Sequence, residues 1–252
     1  MAAPAEPGAF PVDPMHQYEI VRLLPIELFG FDASFTNSAM WMVLAVAAIS
    51  IFMIMSVSSR ALVPGRWQSM AELSYEFVAN MLRQNTGNEG QPFFPFIFSL
   101  FMFILFANMF GLLPYSFTVT SHIAVTFAMA LVVIGGITLL GLFKHGLGWF
   151  KLFVPSGVPI VLLPLITVIE MISYLTRPLS LSVRLFANML AGHTMLKVFA
   201  GFAIMLGAWG GWAPFAFMVA FTGLEVLVAF LQAYVFAILT CIYLNDALHV
   251  HH

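Results

Sequence analysis

The stretch EMISYLTRPLSLSVRLFANMLAGH, residues 170–193, places an acid, two arginines, a proline and an amide in a run that otherwise reads as lipid-buried helix. At helical spacing Glu170, Ser173, Arg177, Ser180, Arg184 and Asn188 follow at steps of three, four, three, four and four, so they line up as one polar stripe. The opposite face is left to Leu, Ile, Val and Phe. An arginine keeps its charge at any accessible pH, and a charge at bilayer depth costs from about 3 to more than 10 kcal/mol depending on the measure. Arg184 is therefore expected to face a wet cavity or an opposing carboxylate.

The rest of the chain supports a membrane setting. It is 62% hydrophobic and 8% charged, with a mean hydropathy of +0.99, whereas soluble domains run near about a quarter charged. Nine Lys plus Arg against eleven Asp plus Glu, with no basic cluster, argue against a nucleic-acid partner. The single cysteine, Cys241, excludes an internal disulfide and reads as small apolar filler within a span. The 27 Phe and 16 Met suit helix packing against lipid and other helices. The opening MAAPAEPGAFPVDP has no basic region followed by an apolar core, so insertion is expected through the first span and not through a cleaved signal.

The expected fold is an all-α integral membrane protein with five crossings and an amphipathic surface helix. Residues 1–32 form an N-terminal segment, and residues 33–252 one polytopic membrane domain. The spans are placed at about 33–59, 93–113, 122–143, 158–200 and 214–248 from the charge-free apolar runs. The amphipathic segment is placed at about 66–84, where Met70, Leu73, Phe77, Val78 and Met81 recur at helical spacing. GLLPYSFTVTSH reads as a turn between the second and third spans, and KHGLGWFKLFVPSG as a loop. GFAIMLGAWGGWAP reads as an interfacial turn between the last two spans. Those two spans exceed a perpendicular crossing, which predicts tilt or a kink, with Pro178 as the natural bend. Gly135 with Gly136 reads as a site of close helix packing.

Arg60, Arg66, Arg83, Lys144 and Lys151 fall in two loops, while the stretches 114–122 and 201–213 hold no Lys or Arg. The positive-inside rule makes the first pair cytoplasmic, so the N-terminus is expected outside and the C-terminal HVHH inside. Arg22 is the basic residue left on the outer side. No internal repeat is visible, which removes support for an inverted-repeat transporter.

The last span carries a second stripe. Glu225, Gln232 and Tyr243 are seven and eleven residues apart, near whole helical turns, and Asp246 lies about 60° off the same line. Two polar stripes on neighbouring tilted helices suit a hydrogen-bonded path, and proton conduction is the chemistry such side chains support most cheaply. Glu170, Glu225, His193, Asn188, Gln232, Ser180 and Tyr243 are the relay candidates. Ser173 alone reads as a helix-packing hydrogen bond, and Arg177 as a structural pair with Glu170 seven residues away. His193 points about 140° from the line through Glu170 if the helix stays regular. No HxxxH or HExxH pattern lies in a span, and Ser156 and Ser182 lack a His or acid in a nucleophilic arrangement. A stand-alone transporter or channel would have to conduct by itself, and a pure scaffold would not need Arg184.

At SLSVRLFANMLAGH, followed by QAYVFAILTCIYL around Gln232, the chain resembles subunit a of F-type ATP synthases, in an alphaproteobacterial or mitochondrial-like variant. The likeness extends to MHQYEI near the start and to ANMFGLLPY. It implies a non-catalytic, multi-pass stator subunit of the bacterial inner membrane, without cofactor or metal. The implied partners are the ring of c subunits with its carboxylates, the b/b′-type peripheral stalk and the rest of the synthase. By resemblance Arg184 is the essential arginine, Asn188 and Gln232 its polar neighbours, and Glu170 an acid near the exit path. His193 and Glu225 stand interchanged relative to some bacterial members. The family mechanism then has protons reach the ring past His193 and Glu225 and leave past Glu170, Ser180, Tyr243 and Asp246. Arg184 divides the two paths and favours the ionised ring carboxylate. Each charge moved through 100 mV is worth about 2.3 kcal/mol, and the relay side chains point to H+ as the ion.

Overall fold

Charge-free apolar runs become helices because only a helix satisfies its own backbone where water is absent. The computed structural model describes residues 20–25, 27–28, 31–32, 34–58, 64–113, 116–154, 159 and 162–249. The proline-rich lead, Arg60, Pro114, Ser156 and residues 250–252 lie outside them. The described helices are α1 (Asn37–Ser58), α2 (Arg66–Thr86), α3 (Phe94–Gly111), α4 (Ile123–His145), α5 (Leu163–Gly210) and α6 (Trp212–Leu248). Five helical stretches are long and apolar enough to cross a membrane, with α2 and α3 forming one of them. The protein is thus an all-α membrane protein.

The ends of the elements follow local chemistry. Thr36 Oγ1 accepts the Ala39 N–H at 3.4 Å and so caps α1. Asn37 Oδ1 accepts the Val21 N–H at 3.3 Å, which ties the preceding chain to the helix. That preceding chain holds short extended pieces, for which the sequence gives no element. Arg22–Leu24 pairs with Phe35–Thr36 and Glu27–Leu28 with Phe31–Asp32 in two short antiparallel ladders. Gly87 and Gly146, at φ 63° and 55°, end α2 and α4 in a conformation that disfavours a Cβ. Lys144 and His145 in the last turn of α4 complement its C-terminal dipole.

Two sequence expectations are corrected. The KHGLGWFKLFVPSG loop is largely a 3-10 helix, Gly146–Phe153, whose Trp149 is buried against α4. A Cβ on Gly141 would collide with that indole, so the glycine makes its place. The span placed at 158–200 continues as helix to Gly210, and α6 starts at Trp212, so the turn expected over 201–213 narrows to Gly207–Gly211. FAIML extends the apolar helix, and only Gly207 (φ 63°, ψ −162°) leaves helical space, in a region open essentially to glycine alone. Pro178 sits inside α5 with helical φ/ψ, and the backbone leaves helical space at Gly207. Pro178 does leave the Tyr174 carbonyl without its N–H partner.

α6 is the spine of the bundle. Ala229, Ala233, Ala237 and Cys241 recur every fourth residue and are all fully buried. In lipid, helices associate through close van der Waals contact and interhelical hydrogen bonds, and small residues permit the approach. Against this seam pack Val78 and Leu82 of α2, Ile97, Phe101 and Ile104 of α3, Ala130 and Val133 of α4, and Leu181 and Leu185 of α5. α1 is peripheral, held by edge contacts of Trp41 with Phe110 and of Phe52 with Trp67. The fold has a basic end, with Lys144, His145 and Gly146–Phe153, and a hydroxyl end, with Thr118, Thr120, Ser121 and the Gly207 turn. Ala233→Leu is expected to overpack the seam and cost about 1–3 kcal/mol. Thermal unfolding of the purified protein in detergent measures this, with exposed Val43→Leu as the variant expected to change little.

Candidate functional site

Toward the hydroxyl end, α5 and α6 bring together two groups from different helices. His193 Nδ1 lies 3.2 Å from Glu225 Oε1, and both side chains are less than a tenth exposed. The contact is within ion-pair distance but is not aligned as a hydrogen bond; His193 Nε2 and both Glu225 oxygens have no hydrogen-bond partner among the described residues. Gly192 permits the approach, since a Cβ there would stand 2.6 Å from Glu225 Oε1. Gly111 closes the other side of the histidine, and its Cβ would sit 3.3 Å from His193 Nε2 and 2.8 Å from Thr118 Cγ2. The turn of His193 away from the Glu170 line follows from about 100° per residue along an unbroken helix.

Next to this pair is a polar link across three elements. Fully buried Asn108 of α3 donates through Nδ2 to the Ala229 carbonyl at 3.3 Å, and its Oδ1 accepts from Thr120 Oγ1 at 2.8 Å. Gln232, one turn from Ala229, is also buried. Asn108, Thr118, Thr120 and His122 were given no role from sequence. The available signal was a cluster of hydroxyls and a histidine in the otherwise charge-free run from 92 to 143.

Toward the basic end a second cluster forms. Arg177 Nη1 donates to Asp246 Oδ2 at 3.1 Å, and Nη2 is 4.0 Å from Glu170 Oε1. The guanidinium lies over the rings of Tyr174 and Tyr243. Tyr174 and Thr138 of α4 share a short hydroxyl–hydroxyl hydrogen bond. Glu170, Tyr243 and Asp246 thus meet, and Arg177 pairs more closely with Asp246 than with the expected Glu170. Ser180 is exposed and no described hydrogen bond or ion pair joins it to this cluster. Below it, Lys144 Nζ donates to Glu89 Oε2 at 2.7 Å and to the Leu248 carbonyl at 3.3 Å, fastening the ends of α4 and α6 to the turn before α3.

Arg184 lies between the clusters on a different surface. Leu181, Ser182, Leu185 and Met189 point into the bundle, while Ser180, Val183, Arg184, Ala187 and Ala191 are exposed and Asn188 is half-buried. No described carboxylate forms an ion pair with Arg184. Among the described residues, no group of three His, Cys, Asp or Glu side chains is placed to hold a metal ion.

Fold and site together define a polytopic α-helical membrane protein whose two longest helices carry ionisable groups within otherwise apolar stretches. The family model described as ATP synthase A chain matches residues 39–245. Relatives named ATP synthase subunit a match nearly end to end. That of Chelativorans sp. (strain BNC1) is 64% identical over 246 residues, covering 95% of this chain and 99% of the relative. That of Pelagibacter ubique (strain HTCC1062) is 61% identical, with 95% and 99% covered. That of Mesorhizobium japonicum is 60% identical, with 96% and 98% covered. The chain belongs to the ATP synthase A chain family, which bears out the resemblance carried by RLFANMLAGH.

Asn108→Ala removes the partner of Thr120 and the side-chain donor to Ala229, so it is expected to cost about 1–3 kcal/mol. Thermal unfolding in detergent reads this, and a change smaller than that of Val43→Leu would show the link to carry no stability.

Proposed function

We propose that this chain is the non-catalytic, proton-translocating stator subunit of an F-type ATP synthase, with two offset proton paths divided by Arg184. Family membership supports the coarse assignment. The observation that carries the finer one is an exposed arginine without a described carboxylate, set between two polar clusters on opposite sides of it along α5. From Glu225 to Asp246 is 21 residues of α6, or about 32 Å at 1.5 Å per residue, close to the thickness of a bilayer core. The clusters therefore suit paths that open on opposite faces and do not meet.

By the distribution of Lys and Arg, the hydroxyl end faces outward and the basic end the cytoplasm, with the N-terminus outside and the C-terminus inside a bacterial inner membrane. A proton coming from outside is passed by His193 and Glu225, with Asn188 and Gln232 holding water or the proton's acceptors along the way. It neutralises a carboxylate on the c ring. After rotation that carboxylate releases its proton toward Glu170, Ser180, Tyr243 and Asp246. Arg184 favours the ionised carboxylate and repels a proton that would cross directly. Val183, Ala187 and Ala191 beside it are small enough for a partner helix to approach. The b/b′-type stalk holds the subunit still, and the soluble head makes ATP.

Arg184→Lys keeps a positive charge but loses the planar fork and the guarantee of protonation when desolvated, so coupled ATP synthesis is expected to vanish. Synthesis in energised inverted vesicles measures this, and a normal rate in Arg184→Lys would sink the assignment. Glu225→Gln should slow proton flux by about 10²-fold or more while leaving the subunit assembled, as expected when a positioned proton-transfer group is removed. Dye-reported flux in reconstituted vesicles, set against subunit content, decides it.

A further inference from the structure

From sequence alone Arg177 is half of a structural pair with Glu170, but its surroundings are richer than such a pair needs. Two carboxylates from two helices converge on one guanidinium, Asp246 at 3.1 Å and Glu170 at 4.0 Å. The ring centroids of Tyr174 and Tyr243 lie 5.1 and 4.9 Å from its central carbon. Tyr174 is itself held by Thr138 of α4 and by edge contacts from Trp149 and Phe153. The cation is fixed by contacts reaching α4, α6 and the Gly146–Phe153 segment.

Exposure separates this arrangement from a buried strut. The Arg177 side chain is 18% exposed, whereas Glu170 and Asp246 are 38% and 34% exposed. The cation is the more enclosed member and the two carboxylates the more exposed ones. One positive against two negative formal charges leaves −1 on the set, and a proton received by either carboxylate would leave it neutral. Among the described side chains the other elements packed here add little charge: α4 offers the Thr138 hydroxyl, and its Lys144 and His145 are turned to Glu89, Leu248 and Ala247. Among the described side chains, the phenols of Tyr174 and Tyr243 are the remaining titratable groups against the guanidinium.

We propose that Arg177 is a positioning residue for proton release: it holds Glu170 and Asp246 side by side as a single-proton acceptor open to water, and does not itself carry the proton. The inference rests on the two-path reading above and names what organises its cytoplasmic arm. In the step concerned, an O–H bond on a ring carboxyl breaks and one forms on Glu170 or Asp246. That O–H bond then breaks to water, and its electron pair stays on the carboxylate. ATP-driven pumping runs the same steps backwards.

The test uses the intact complex in inverted membrane vesicles, with ATP-driven proton uptake read by a pH-sensitive dye and subunit content by immunoblot. Arg177→Met is expected to cut pumping about fivefold at unchanged subunit content, and Arg177→Lys to restore most of it, consistent with coupling between contacting residues. Arg177→Met combined with Asp246→Asn should lose little more than Arg177→Met alone, as residues acting as a unit do. Full pumping by Arg177→Met, equal losses in Arg177→Lys and Arg177→Met, or losses that multiply in the double variant would each overturn the proposal. If Arg177→Met fails to assemble, Asp246→Asn alone decides: about a fivefold loss supports the proposal and full pumping refutes it. Absence of proton uptake by the unaltered complex is a different result, because it removes the function proposed above and not merely the role of Arg177.

Discussion

Close approach of α5 to α6 is the constraint on which the rest depends. Lipid gives no hydrophobic drive for two helices to associate, so contact must come from fit and from polar groups that meet between them. Gly192 on α5 and the seam Ala229, Ala233, Ala237 and Cys241 on α6 provide the fit. The polar groups meet at two points, His193 with Glu225 and Arg177 with Asp246. Each interhelical polar contact in a membrane averages only about 0.6 kcal/mol, so neither alone fixes the pair. What they fix is register: with both contacts made, the helices cannot slide by a turn without stranding four ionisable groups.

The parts of this arrangement that a sequence discloses are those confined to one helix. Arg184 and Glu225 stand out because ionisable residues in apolar runs are costly, and the direction of His193 follows from counting turns. The partnership of Arg177 with Asp246 depends on the register between two helices 69 positions apart in the chain, which no periodicity carries. Asn108 and Thr120 were hidden for another reason. A lone amide or hydroxyl in a span is ordinarily a packing bond, and only their meeting with the Ala229 carbonyl distinguishes them. The extension of α5 to Gly210 was hidden because glycines in GFAIMLGAWGG read as breakers, although only Gly207 uses glycine's freedom there. Trp149 likewise gave no sign that a glycine on α4 had been left for it.

Two arginines on the same stripe of α5 have opposite settings, and the antiparallel register explains why. Arg177 meets Asp246 and His193 meets Glu225, so position numbers on the two helices sum to 423 and 418 at the contacts. Interpolation places Arg184 opposite about residue 237, among Val235, Phe236, Ala237, Ile238 and Leu239. That part of α6 has no polar side chain to offer. Glu225 is then about 18 Å away along the axis and Asp246 about 14 Å, and Glu170 on α5 itself is about 21 Å away, all beyond reach of a side chain. Arg177 has its counter-charges and its aromatic cover within the chain, whereas Arg184 has the uncharged Ser180 and Asn188 on either side of it along the stripe, beside small and apolar residues on an open face. A guanidinium left in that position at a cost of several kcal/mol is stabilised only by a charge brought from outside the described bundle, or by water. The same register that satisfies one arginine leaves the other without a described carboxylate, and this supports the proposal that Arg184 and not Arg177 faces the carboxylates of the ring.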